Sequence, residues 1–168
     1  DGDVDLYVAS GGYANLEPTS TYLQDRIYLN DGKGNFSLSK NKLPNPNGSH
    51  SCVTKIDLNG DKLPDLFVGA RVIPGQYPQV PQSQLLLNQG NGKFLDVSKN
   101  YPEIQSLGMV TDAEFKDLNG DQKYELIIIG EFMHLKYEQR AFIISLGVPL
   151  IFLIWAIIAF SIEGAFWL

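Results

Sequence analysis

The 168-residue sequence predicts an all-β chain, a β-propeller fragment of about two to two and a half four-stranded blades, followed by an apolar C-terminal segment. Three observations support this prediction. Two different motifs each recur with a period close to 60 residues. Each period contains four short runs of β-forming residues. Sixteen glycines and nine prolines supply the turns between those runs.

The first motif is acidic, and it begins at residue 57 as Asp-Leu-Asn-Gly-Asp and returns with the same five letters at residue 117. The opening residues 1–8 match its second half. The second motif, Asn-x-Gly-x-Gly-x-Phe, occupies residues 30–36 and 88–94, an offset of 58 residues. Two different motifs that recur with almost the same period indicate a structural repeat rather than chance similarity.

The predicted strands of the complete period are Ser51–Ile56, Asp65–Ala70, Gln84–Leu87 and Phe94–Val97. Residues 66–68 and 126–129 are apolar throughout, so both faces of these strands should be covered, as they are between stacked blades. A propeller closes with about four to eight blades. We therefore expect a fragment of a longer protein, cut through an acidic loop at Asp1, with repeats over 1–133 divided into 1–50, 51–110 and 111–133.

The acidic motif has the donor pattern of a calcium loop. Oxygen donors fall at alternate positions 1, 3, 5, 7 and 9, and Ca²⁺ takes six to eight oxygen ligands. Position 7 supplies only its backbone carbonyl, so its side chain is free to vary. The predicted ligands of the first loop are Asp57, Asn59, Asp61, Leu63 and Asp65. Those of the second are Asp117, Asn119, Asp121, Lys123 and Glu125.

The N-terminus retains only the last three ligand positions of such a loop, Asp1, Asp3 and Asp5, so we expect no binding there. Two other interpretations of the motif remain. An EF-hand would need Glu at position 12, where this chain has Val68 and Ile128 inside predicted strands. A simple Asp/Asn/Gly turn joining two strands needs no metal.

These motifs resemble the FG-GAP/VCBS-type repeat family of integrin-alpha-like β-propellers. The resemblance rests on residues 57–66, 117–126, 30–36 and 88–94. With residues 69–78 and 108–113 it extends to the cartilage-acidic-protein-like branch. It implies calcium binding, an extracellular or cell-surface location, and a protein or carbohydrate ligand in adhesion or scaffolding.

The C-terminal run departs from the repeat. Residues 141–162 carry no charge, and 22 helical residues would span about 33 Å, enough to cross a bilayer. The basic residues Lys136 and Arg140 precede the run, which would place the repeats in the cytoplasm and conflicts with the resemblance. The interpretations left open are a transmembrane segment, a frameshift artefact and an aberrant pair of buried strands. Residues 134–140 are a divergent linker, and 163–168 form a tail.

Composition and motifs exclude several other functions. The net charge is −6 and no Lys/Arg cluster occurs, so nucleic acid is not an expected partner. Cys52 is the only cysteine, which excludes an intrachain disulfide, and we expect it to be a small packed residue. His50 is expected to lie in a surface loop, and Asp112 and Glu114 to be solvated.

The sequence therefore predicts a non-catalytic, calcium-binding recognition or scaffold module. The alternatives are part of a propeller enzyme whose catalytic residues lie outside this sequence, and a membrane-tethered surface protein.

Overall fold

A computed structural model describes residues 2–44, 48–131 and 141–145 of the chain. In these ranges the chain forms three antiparallel sheets, and its only helical elements are two short 3-10 turns and one four-residue α-helix. This confirms the all-β prediction.

The strands follow the chain in order within each sheet. The first sheet contains β1 (Leu6–Val8), β2 (Arg26–Asn30) and β3 (Phe36–Leu38). The second contains β4 (Ser49–Ile56), β5 (Asp65–Val72), β6 (Gln84–Asn88) and β7 (Phe94–Asp96). The third contains β8 (Met109–Lys116), β9 (Glu125–Glu131) and β10 (Ala141–Ser145). The 3-10 turns are Thr21–Leu23 and Ser98–Asn100, and helix α1 is Pro102–Gln105.

The second sheet agrees closely with the strands predicted for the complete period. All four are present, and their ends differ from the predicted ones by at most two residues. Strand β4 begins earlier than expected because Ser49 and His50 pair with Val72 and Ala70 of β5. The backbone N–H of His50 also donates to Ser10 O (3.0 Å), which joins β4 to the first sheet. The acidic motifs occupy the β4–β5 and β8–β9 connections, and the Asn-x-Gly-x-Gly-x-Phe motifs form the β2–β3 and β6–β7 turns.

Matching irregularities occur in the second and third sheets. The β4–β5 pairing shifts between His50 and Cys52, and the β8–β9 pairing shifts between Val110 and Asp112. Both shifts are β-bulges, which add one residue to a strand and sharpen its twist. A Cβ on Gly69 would lie 2.6 Å from Cys52 Sγ and 2.7 Å from Val110 Cγ1. Glycine is therefore required at this position for the two sheets to approach each other.

The main apolar core lies between the second and third sheets. Phe67 and Leu85 contribute from one side, and Leu126 and Ile128 from the other; each is fully buried. Burial on this scale is the main favourable term of folding, at about 25 cal/mol per Å² of apolar surface. The prediction of two covered faces holds for most of β5, whereas Ile129 of β9 is half exposed.

Only part of the divergent C-terminal sequence is described. Residues 141–145 pair antiparallel with β9, Ala141 facing Ile129 and Ser145 facing Glu125. The predicted linker 134–140, the remainder of the predicted apolar run at 146–162 and the tail 163–168 lie outside the described residues. Within the described ranges, no helix has the length and apolar character needed to cross a bilayer.

Candidate functional site

The first acidic loop, residues 57–64, is folded around the Asp57 carboxylate. Its Oδ1 accepts hydrogen bonds from the backbone N–H of Gly60 (2.8 Å) and Asp61 (3.1 Å), and its Oδ2 accepts one from Lys62 (2.9 Å). A carboxylate that accepts several backbone N–H groups pulls the chain into a tight curl. The side chain at position 1 therefore forms the loop as well as offering oxygen atoms to a ligand.

Asn59 and Asp61 complete the same curl from positions 3 and 5. Asn59 Oδ1 accepts from the N–H of Asp61 (3.0 Å), and Asp61 Oδ1 accepts from the N–H of Leu63 (2.7 Å). Asn59 Nδ2 also donates to Asp61 Oδ2 (2.8 Å). The three oxygen-bearing side chains of the loop, Asp57, Asn59 and Asp61, are solvent-exposed. Their oxygen atoms are accessible to a cation.

The second acidic loop, residues 117–124, repeats this geometry. Asp117 accepts from Gly120 N (2.6 Å) and Gln122 N (2.8 Å), and Asn119 Oδ1 accepts from Asp121 N (2.9 Å). The backbone is also repeated, because φ is +79° at both Gly60 and Gly120, and +68° and +66° at Lys62 and Gln122. Such values are unfavourable for residues with a side chain. The same strain at the same loop position indicates a shared structural requirement.

Position 9 behaves differently from the other predicted ligands. Asp65 is fully buried, with Oδ2 accepting from Leu58 N (2.8 Å) and Oδ1 from Asn88 N (2.7 Å). Glu125 is also buried, and its Oε2 accepts from Leu118 N (2.9 Å). These carboxylates fasten the start of each loop to the start of the following strand.

The hydrogen bonds of Asp65 also explain why the acidic motif and the asparagine motif recur together. Asn88, the first residue of the second motif, donates its N–H to Asp65 and its Nδ2 to Pro64 O (3.1 Å), while its Oδ1 accepts from Gly90 N (2.9 Å). In the first sheet, Asn30 donates its N–H to Asp5 Oδ1 (2.9 Å) and its Nδ2 to Val4 O (3.1 Å). The asparagine turn of each repeat is thus bonded to the end of the acidic motif.

The remaining N-terminal candidates lie near the same turn. Asp5 occupies the position of Asp65, and a Cβ on Gly32 would lie 2.9 Å from Asp3 Oδ1. Asp1 lies outside the described residues. The side-chain amide of Asn35 and the backbone N–H groups of Lys33 and Asn35 hold the pKa of Asp31, in this turn, below its usual value.

The donor set of each acidic loop fits a hard cation. Two carboxylates and one amide oxygen lie on one exposed curl, and a backbone carbonyl at position 7 adds an oxygen without charge. Among the described residues, no group of three or more His, Cys, Asp or Glu side chains converges as a metal site. Any cation would therefore depend on Asn59 or Asn119 and on carbonyl or water oxygens in addition to the acids.

A pocket of about 510 Å³ lies at the other ends of the strands that carry the acidic loops. It is lined by Gly12, Tyr13, Ser49, Arg71, Val72, Tyr77 and Met109. Ser49 Oγ accepts from Gly12 N (2.8 Å), which fixes one wall, and Arg71 forms an exposed ion pair with Glu131 (3.0 Å). Half-exposed tyrosine rings beside an arginine provide both apolar and hydrogen-bonding contacts to a ligand.

A buried polar cluster was not predicted from the sequence. The Asp25 carboxylate accepts hydrogen bonds from His50 Nδ1 (2.7 Å), Tyr7 OH (2.5 Å) and Ser10 N (2.7 Å). The prediction of His50 as a surface-loop residue is wrong, because its side chain is fully buried in β4. Burial, followed by the neighbouring Asp25 charge, raises the pKa of Tyr7 above its usual value. The Asp25 and His50 side chains are therefore shielded from solvent, whereas Tyr7 is only half-buried.

The other residues considered for chemistry behave as expected. Cys52 is partly buried against the core, and burial raises the pKa of its thiol. Asp112 and Glu114 are exposed on β8.

The comparisons with known proteins agree with the repeat geometry. The family model of the FG-GAP-like repeat matches residues 1–68, which include the first acidic loop and the first Asn-x-Gly-x-Gly-x-Phe turn. Neither the curated proteins nor the solved structures give a match. The chain therefore carries an FG-GAP-like repeat, which indicates a β-propeller-type recognition module.

Proposed function

We propose that the chain is a calcium-binding, non-catalytic recognition or scaffold module of an extracellular protein, built from blades of a β-propeller of the cartilage-acidic-protein-like branch. The observation that supports calcium most directly is the agreement of the two acidic loops. They share ligand types, hydrogen bonds and two backbone positions of positive φ, one of them strained, although their strands differ in sequence.

Calcium would act at Asp57, Asn59 and Asp61, and at their equivalents in the second loop. A bound cation would offset the repulsion between the two carboxylates of each loop, and it would hold the β4–β5 and β8–β9 connections in their curled form. Asp65 and Glu125 would contribute by fixing the loop to the next strand.

The recognition surface of this proposal is the pocket at the opposite strand ends. Its walls come from the three successive sheets, with Tyr13 from the β1–β2 connection of the first, Arg71 from β5 of the second and Met109 from β8 of the third. Metal loops at one end would then stabilise the blades, while the other end remains available for a protein or carbohydrate ligand.

The test is thermal unfolding of the intact chain in calcium, in magnesium and in chelator. With free calcium at ten times the dissociation constant, one site adds about 1.4 kcal/mol of stability. We expect calcium to raise the melting temperature, and Asp61→Asn with Asp121→Asn to remove most of the increase. Asp112→Asn, an exposed acid outside the loops, is the matched control. Equal melting temperatures in calcium and chelator would contradict the proposal.

A further inference from the structure

The first and second sheets meet through three polar side chains, which we call the interface triad: the half-buried Tyr7 and the buried Asp25 and His50. Tyr7 and Asp25 belong to the first sheet and its connections, and His50 belongs to the second. The Asp25 and His50 side chains are 2% and 0% exposed. His50 Nε2 is buried without a hydrogen-bond partner among the described residues. The triad thus places the Asp25 carboxylate and the His50 imidazole out of contact with water.

The repeat supplies an internal comparison, because the second and third sheets meet through the same three positions. Tyr7 faces Ile27 in the β1–β2 pairing, as Phe67 faces Leu85 in the β5–β6 pairing. Phe67 is therefore the equivalent of Tyr7.

The other two positions correspond in the same way. Asp25 directly precedes β2 and accepts from Ser10 N (2.7 Å), as Ser83 directly precedes β6 and accepts from Ala70 N (3.1 Å). His50 is the second residue of β4, and Val110 is the second residue of β8. The second interface therefore carries Phe67, Ser83 and Val110 in place of the triad.

The fold itself does not require a charged cluster at these positions. Phe67 and Val110 lie in the apolar core between the second and third sheets, and the position equivalent to Asp25 is held by the uncharged Ser83. A buried ion pair is rarely more stable than a well-packed apolar replacement, whereas a buried polar group that loses its partner is strongly destabilising. The difference between the two interfaces therefore points to specificity rather than to stability.

Exchanging the sheets would leave polar groups unpaired in both directions. Val110 in the place of His50 would leave the Asp25 carboxylate without its imidazole partner. His50 in the place of Val110 would face Phe67 and Ser83, neither of which offers a carboxylate. Each wrong pairing is penalised because it buries a group without its partner.

We propose that the interface triad selects the order of the sheets, so that the second sheet and not the third packs on the first. Similar repeats compete for the same neighbours during folding, and misassembly is a characteristic failure of repeat proteins. The triad makes the first interface chemically different from the second, which removes this ambiguity.

The test replaces the triad with the equivalent residues of the second interface. All variants are made in the intact chain and compared in the same buffer, which contains dodecyl maltoside. The variants are Asp25→Ser, His50→Val and the triple Tyr7→Phe/Asp25→Ser/His50→Val. We expect each single variant to lower the melting temperature, and the triple variant to lie closer to the wild type than either single variant.

The second measurement is the oligomeric fraction after refolding, by size-exclusion chromatography with light scattering. In the triple variant we expect the oligomeric fraction to increase roughly tenfold. This is the factor expected when wrong contacts between sheets no longer bury one unpaired polar group. If two molecules exchanged whole sheets, the first sheet of one would still pack on the second sheet of the other. This exchange keeps the native pairing of sheets, so it would contribute equally to the oligomeric fraction of every variant. Ser83→Ala, which removes one buried hydroxyl from the other interface, is the matched control and should not increase the oligomers.

Additive losses in the triple variant would overturn the proposal, because the three residues would then act independently. A triple variant with restored stability but no more oligomer than Ser83→Ala would overturn it as well. If a single variant fails to fold, the triple variant decides: a folded triple with increased oligomers supports the proposal, and an unfolded triple contradicts it.

Discussion

Asp65→Asn tests the role of the acid at position 9 most sharply. The Asp65 side chain is fully buried, and each carboxylate oxygen accepts one backbone N–H, from Leu58 (2.8 Å) and from Asn88 (2.7 Å). Asparagine has nearly the same shape, but it replaces one acceptor with a donor that would face an N–H group. A hydrogen bond to a buried charge is worth about 1.5–3 kcal/mol, and leaving its partner unsatisfied adds to the loss. We expect Asp65→Asn to lower the free energy of unfolding by about 2–4 kcal/mol.

The measurement is urea unfolding of the intact chain in chelator, followed by circular dichroism. Asp61→Asn is the matched control, because it makes the same chemical change in the same loop at an exposed side chain, where substitutions usually change stability by less than about 0.5 kcal/mol. If Asp65→Asn is no more destabilising than Asp61→Asn, the carboxylate does not fasten the loop and the reasoning is refuted.

Three further predictions concern the same repeat. Asn88→Ala removes the side-chain bonds to Pro64 O and Gly90 N and should destabilise the chain by about 1–2 kcal/mol in urea unfolding; no change would show that the turn is not bonded to the acidic loop. Lys62→Gly relieves a φ of +68° and should stabilise by up to about 1 kcal/mol, whereas Lys62→Ala should not; equal effects would contradict the strain argument. Cys52 should react with iodoacetamide more slowly in the folded than in the urea-unfolded chain, because burial raises its pKa and keeps the thiol neutral. The raised pKa of Cys52 stabilises the folded chain fully at pH values below 9.0, the usual pKa of a thiol, and this stabilisation declines at higher pH. Cys52→Ala should reduce the decline.

The acidic loops show what residue spacing predicts well. Alternating oxygen donors around Gly60 identified the loop, its two flanking strands and its copy at residues 117–124. The spacing did not separate Asp65 from Asp57, because a carboxylate at an alternate position serves equally well as a ligand or as a buried acceptor. The distinction depends on Asn88, which lies 23 residues away from Asp65 in the chain.

His50 shows where local sequence misleads. Its neighbours are polar and turn-forming, which favours a surface loop. Its burial depends on Asp25, 25 residues earlier, and on Tyr7 in another strand. The repeat contained one signal of this burial, since the equivalent residue in the next repeat is the apolar Val110. Repeat alignment therefore indicates burial at a position where local composition does not.

Isothermal titration of the intact chain with calcium measures directly whether the acidic loops bind the ion. We expect two calcium ions for each chain, one at each acidic loop, and one ion for each chain carrying either Asp57→Ala or Asp117→Ala. Absence of a saturable calcium heat in the wild-type chain, or an unchanged stoichiometry in both variants, would contradict this expectation.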